Sequence, residues 1–140
     1  MRIRTIKPEF WRSEDISKLS WDTRLLFIGL WSYVDDSGIG LDSPVAIAAD
    51  LFAADMVKDP AKILAIISDG MDEIEGVGSI VRYTVEDESD RYYGRRLFKV
   101  LHWSRHQQIQ RASKGHCYPP PTSRNAQVAC NLHATPVKLH

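Results

Sequence analysis

No apolar run in the 140-residue chain approaches the roughly 18 residues needed to span a bilayer, so a membrane protein is not expected. The opening, Met1-Arg2-Ile3-Arg4-Thr5-Ile6-Lys7-Pro8, has no apolar stretch behind its charges and does not read as a signal peptide. A cytoplasmic location is the expectation, and in that compartment the only two cysteines, Cys117 and Cys130, are expected as reduced thiols. The third scarcity is the most informative, because no carboxylate occurs after Asp90. Residues 1–90 hold all 18 acidic residues and 9 of the 18 Lys/Arg, a net charge of −9, and residues 91–140 hold the other 9, a net charge of +9. The formal total of zero conceals this split, which points to an anionic partner for the basic part or to attraction between the two parts within one fold.

Catalytic sets are missing as well. His102 and His106 stand four apart with no Glu between them and no carboxylate in the whole region, which excludes a His-Glu-x-x-His metal site. Gly38-x-Gly40 is too short for a nucleotide fingerprint, and no Gly-rich loop carries a Lys-Ser/Thr pair. His116, Cys117, Cys130 and His133 lack the short paired knuckle of a zinc site. The serines sit at helix starts, where capping accounts for them. The chain is read as a binding protein rather than an enzyme, with no catalytic residue, metal or cofactor.

What is present is enough for one ordinary core, with 44% hydrophobic residues. Arg2, Arg4, Lys7 and Arg12 beside Phe10 and Trp11 suggest an extended basic arm pinned by the two aromatics, with Pro8 stopping any helix through it. Ser13 caps a short helix. Ser20 caps a stronger one over about 21–34, with Trp21, Leu25, Ile28 and Trp31 on one face and Leu26, Phe27, Leu30 and Val34 widening it. Asp35-Asp36-Ser37-Gly38 ends it, and Ile39-Gly40-Leu41 reads as a brief strand. Ser43-Pro44 opens a helix to about Ala53, followed by a turn containing Met56, Val57 and Lys58. Asp59-Pro60 opens another, to about Ile74, stopped by Gly76 and Gly78. The period then changes to that of strands over 80–85 and 97–101, joined by the polar Glu86-Asp87-Glu88-Ser89-Asp90. Three main helices followed by a hairpin is the order of a winged helix-turn-helix, an α+β and mainly α fold. The expected division is a winged-helix domain with its N-terminal arm over 1–114 and a Pro-containing basic tail over 115–140 without packed structure.

Three segments carry a resemblance. They are Arg2-Ile3-Arg4-Thr5-Ile6-Lys7-Pro8-Glu9-Phe10-Trp11, then Arg24-Leu25-Leu26-Phe27-Ile28-Gly29-Leu30-Trp31 with Asp35-Asp36-Ser37-Gly38, then Trp103-x-x-His106-Gln107-x-Ile109-x-Arg111-x-Ser113-Lys114. In order and spacing they resemble the N-terminal winged-helix domain of phage and prophage replication-initiation proteins, the replisome-organiser or DnaD-type group. The resemblance runs over about residues 2–121. It implies binding of double-stranded DNA in a bacterial host cytoplasm, replication partners such as a helicase or loader, and self-association into a homo-oligomer. A transcriptional regulator on the same fold is the alternative, and a module docking a basic protein on acidic helices is another.

Charge decides where DNA is expected. The span 43–75 holds Lys58 and Lys62 against Asp50, Asp55, Asp59, Asp69, Asp72, Glu73 and Glu75, a net charge of −5 that repels a duplex everywhere except near Lys62. Attraction is expected from Arg91, Arg95, Arg96 and Lys99 on or beside the wing, and from Arg105, Gln107, Arg111 and Lys114 after it. Arg2 and Arg4 are candidates for a minor-groove arm. Trp103 is expected in the core.

Overall fold

The computed structural model describes residues 1–107 and 118–121. Side-chain caps set where most of the helices begin. Residues 1–7 have no regular structure, and Pro8 leads into α1 (Glu9–Arg12). Ser13 Oγ accepts from the Ile16 amide to open α2 (Glu14–Ser17), and Ser20 Oγ accepts from Thr23 to open α3 (Trp21–Tyr33). After β1 (Ile39–Leu41), Ser43 caps α4 (Pro44–Leu51), and Pro44 takes a first-turn position where its missing N–H costs nothing. Asp59 does the same for α6 (Pro60–Gly76), again with Pro in the first turn. The chain closes with β2 (Ile80–Thr84), β3 (Arg96–Val100) and α7 (Trp103–His106).

Between α4 and α6 the structure departs from the expected single helix and turn. Phe52, at φ −132°, leaves the helical region, ends α4 and starts a separate α5 (Ala53–Lys58) that takes in Met56, Val57 and Lys58. A half-buried Phe52 ring packed on the core holds this break, which no Gly or Pro announces.

The buried stripe of α3 also differs from the one read from spacing. Thr23, Leu26, Phe27, Leu30 and Trp31 are inside, whereas Trp21 and Leu25 point to solvent. Apolar residues cover most of this helix, so its sequence leaves the inward face open. The choice is made by α6, whose Gly70 lets the two helices approach so closely that a Cβ there would stand 2.6 Å from Leu26 Cδ2.

The three strands form an antiparallel sheet in the order β1-β3-β2, with Ile39 paired to Lys99 and Ile80 to Val100. Alternation along the strands fills two faces. Ile80, Phe98 and Val100 join the helices in the main core, with Trp103 at its edge as expected. Ile39, Tyr83, Val85 and Leu97 form a second cluster on the other face, covered by Tyr92 and Tyr118. The Tyr83 hydroxyl donates to Pro119 O at 2.7 Å, and the Tyr118 amide donates to Asp35 Oδ2 at 3.0 Å. Residues 118–121, expected without packed structure, are therefore part of the sheet's outer cover. Among the described residues no helix is long and apolar enough to cross a membrane.

Candidate nucleic-acid interface

The connection from β2 to β3 extends the hairpin past the regular strands. The Val85 amide donates to Arg95 O at 3.0 Å, and the Gly94 amide donates to Val85 O at 2.8 Å. Gly94, at φ +80°, takes the left-handed conformation that this tight return requires. The geometry throws Arg91, Tyr93 and Arg95 into solvent, with the Arg91 guanidinium 5.3 Å from the centre of the Tyr92 ring. Four carboxylates, Glu86, Asp87, Glu88 and Asp90, share this loop. They temper the positive charge that counting arginines alone assigns to it.

Arg96 is 63% exposed but reaches Asp42 at 3.4 Å. Asp42 is itself buried between Arg96 and Arg82, whose Nε also lies 3.4 Å away. Burial raises the Asp42 pKa, outweighing the lowering by the two guanidiniums. Lys99 is half-buried on the outer face of the sheet, paired across to Ile39 on one side and Val81 on the other.

Arg4 and Gln107 are corrections to the expected interface. Arg4 Nε donates to Trp31 O at 2.8 Å, and its Nη2 reaches Val34 O and Asp35 O, so it satisfies carbonyls left open at the end of α3. Its guanidinium also lies 5.0 Å from the centre of the Trp103 ring. Gln107, 4% exposed, holds Thr5 from both sides, with Oε1 accepting from the Thr5 amide at 2.9 Å and Nε2 donating to Thr5 O at 2.6 Å. The arm is pinned by these polar contacts and by Phe10, while Trp11 stays exposed. Arg2 is half-exposed and lies 3.4 Å from Asp36.

Arg105 is exposed on α7, at the end of the sheet away from the β2–β3 connection. With Lys7 it borders a cavity of about 330 Å³ walled by Phe10, Trp31 and His106. Burial pushes the His106 pKa below its ordinary value, and the positive charges of His102, Lys7 and Arg105 push it further. Arg111 and Lys114 lie outside the described residues.

The acidity of α6 is largely spent inside the fold. Glu73 accepts from the Ser20 amide at 2.9 Å and from Thr23 Oγ1 at 2.6 Å, and these bonds hold its carboxyl below the usual range. Asp72 and Glu75 pair with Arg82 at 2.8 and 3.8 Å. The exposed residues of the first turns of α6 are Pro60, Ala61, Lys62, Ala65 and Ser68, followed directly by exposed Asp69. Net charge over the segment hid this surface, because the sum does not say which carboxylates already have cations. Among the described residues the exposed cations outside any ion pair are Arg12 on α1, Lys58 on α5, Lys62 on α6, Arg91 and Arg95 at the hairpin, and Arg105 at the far end, while exposed Arg96 pairs with Asp42.

These features place the chain in a class: a mainly helical α+β protein with a three-stranded antiparallel sheet and an exposed hairpin connection of mixed charge. Comparison with protein-family models, curated proteins and solved structures finds no match for it.

Proposed function

We propose that the chain is a winged-helix protein that binds double-stranded DNA in phage or prophage replication initiation. The observation that carries this reading is the sequence of a helix–helix–helix unit, α4 to α6, followed by a hairpin with Arg91 and Arg95 free in solvent. The strand order β1-β3-β2 lets the hairpin stand out as a wing. The first turns of α6 offer a major groove small side chains, the positive end of a helix and Lys62. Arg91, Arg95 and Arg96 serve as phosphate contacts from the wing. The replication role rests on the three segments that resemble replisome-organiser domains.

Fluorescence anisotropy of a labelled duplex tests the reading. Four phosphate contacts predict about a hundredfold weakening between about 50 and about 200 mM salt. A Lys62→Ala/Arg91→Ala/Arg95→Ala variant is expected to bind weakly and with a shallower salt dependence. Absence of binding by the intact protein at the lower salt overturns the DNA reading. Unchanged binding by the variant overturns the placement on α6 and the wing.

A further inference from the structure

Single exposed apolar side chains are ordinary, but apolar side chains gathered beside a groove mark an interaction site, and α3 exposes two in one turn. Trp21 is 82% exposed and Leu25 61%, one helical turn apart on α3. Leu25 lines a groove of about 180 Å³ whose floor is Phe52, Ile63 and Ile66. Only two charged groups line it, Asp22 and Asp55, and neither has a cationic partner among the described residues.

We propose that this groove docks an amphipathic, Lys/Arg-bearing helix of a partner protein. An apolar side chain of that helix would enter between Leu25 and Ile63, one helical turn along α3 from the exposed Trp21, and its cations would meet Asp22 and Asp55. The chemistry selects this occupant. An apolar floor needs apolar anchors, and tryptophan is the residue type that most often dominates such contacts. The two unpaired carboxylates favour a cationic partner and repel a nucleic acid. A second copy meeting the groove by two-fold symmetry would bring Asp22 and Asp55 against their own equivalents, placing like charges together. Helix-in-groove recognition seats the apolar anchors of the docking helix in the groove, with charge setting the choice of partner. This inference does not rest on the DNA reading, since it is argued from the apolar lining and from Asp22 and Asp55 rather than from the cations of α6 and the hairpin.

The test uses the full chain and a labelled peptide of about eighteen residues, an amphipathic helix of Leu and Lys, beside its Leu/Glu counterpart. The Leu/Lys peptide is expected to bind, to shift Trp emission to the blue in the intact protein, and to leave it unshifted in Trp21→Ser. Trp21→Ser/Leu25→Ser and Asp22→Asn/Asp55→Asn are each expected to weaken binding about tenfold or more, through apolar and charged contacts respectively. All four residues lie at the surface of the groove or in solvent, and thermal melts of both variants are expected to match the parent. Equal binding of the Leu/Lys and Leu/Glu peptides overturns the proposal, as does unchanged binding by both variants. Two further results also overturn it. If sedimentation shows a parent dimer that Trp21→Ser/Leu25→Ser turns into a monomer, a second copy covers the groove. If that variant loses duplex binding, the face belongs to DNA.

Discussion

Arg4 and Asp36 are 32 positions apart in the chain and 3.2 Å apart in space, each with a side chain only 6% exposed. The pair fastens the N-terminal arm to the turn that follows α3, and Arg4 adds bonds to three backbone carbonyls there. A charge this deeply buried is costly unless fully partnered, so removing one side leaves the other uncompensated. Arg4→Ala is expected to destabilise the protein by about 3 kcal/mol in chemical denaturation. Arg4→Lys is expected to recover little of it, because an ammonium cannot span the same acceptors. A loss under about 0.5 kcal/mol, typical of a surface substitution, would mean that the arm is not held in this way.

Gln107 gives the arm its second anchor, and its amide both accepts from and donates to Thr5. Gln107→Ala removes both bonds to the Thr5 backbone, and because Thr5 is exposed water can replace them, at a net cost of about 1 kcal/mol. The expected effect is local: faster hydrogen exchange at the Thr5 amide and quicker proteolytic trimming of residues 1–7, with the exchange of α6 nearly unchanged. If α6 exchange accelerates to the same degree, arm and core open together instead.

Acidification should lower stability in two separate windows. His106 has a folded pKa below its ordinary value of about 6.5, so the unfolded chain takes up the proton first. Its contribution is complete above about pH 6.5 and is lost as the pH falls toward the folded pKa. Glu73 is also lowered, and its stabilisation is lost only as the pH drops below 4.5 toward its own folded pKa. Thermal melts from about pH 7.5 to about 5.5 are expected to show a falling Tm, with a smaller slope in His106→Gln. Equal slopes would assign the dependence to other groups. The slope is the readout because His106 also packs on Trp31 at 5.1 Å between ring centres, and its loss lowers Tm at every pH.

Gly70 sets helix propensity against packing. Alanine in place of glycine favours an α-helix by about 1 kcal/mol. Here the new methyl would meet Leu26 Cδ2 at 2.6 Å and Thr23 Oγ1 at 3.2 Å, and Leu26 is fully buried with little room to turn aside. Overpacking of a tight core costs about 1–3 kcal/mol, so packing prevails. Gly70→Ala is expected to be less stable than the parent by about 1 kcal/mol in urea denaturation. Gly76→Ala, where a Cβ meets nothing within 4 Å, serves as the control and is expected to be neutral or stabilising. A stabilised Gly70→Ala would show that α3 and α6 can move apart.

Much of the element order was legible in the sequence because it is written in short-range chemistry. Ser20, Ser43-Pro44 and Asp59-Pro60 mark three helix starts that the structure contains, since a cap needs only an amide two or three residues away. The strands at 39–41, 80–84 and 96–100 followed from alternation and β-branched residues. The break at Phe52 was not legible, because the core contact that holds it comes from residues distant in the chain. The candidate interface was legible as a set of cations but not as a surface. Arg4 and Gln107 have the same residue types as interface groups, and only their long-range partners withdraw them from solvent.

The sequence by itself determined where the capped helices α2, α3, α4 and α6 start, roughly where the three strands lie, and the separation of acidic from basic halves. These depend on neighbours within a few residues or on composition, which a linear chain carries explicitly. Tertiary structure alone decided that α3 buries Leu26 and Phe27 while leaving Trp21 and Leu25 in water. It also decided that Glu73, Asp72 and Glu75 serve the fold rather than repel a ligand. Burial and ion pairing are relations between segments, and which face or charge is free is fixed only when those segments meet.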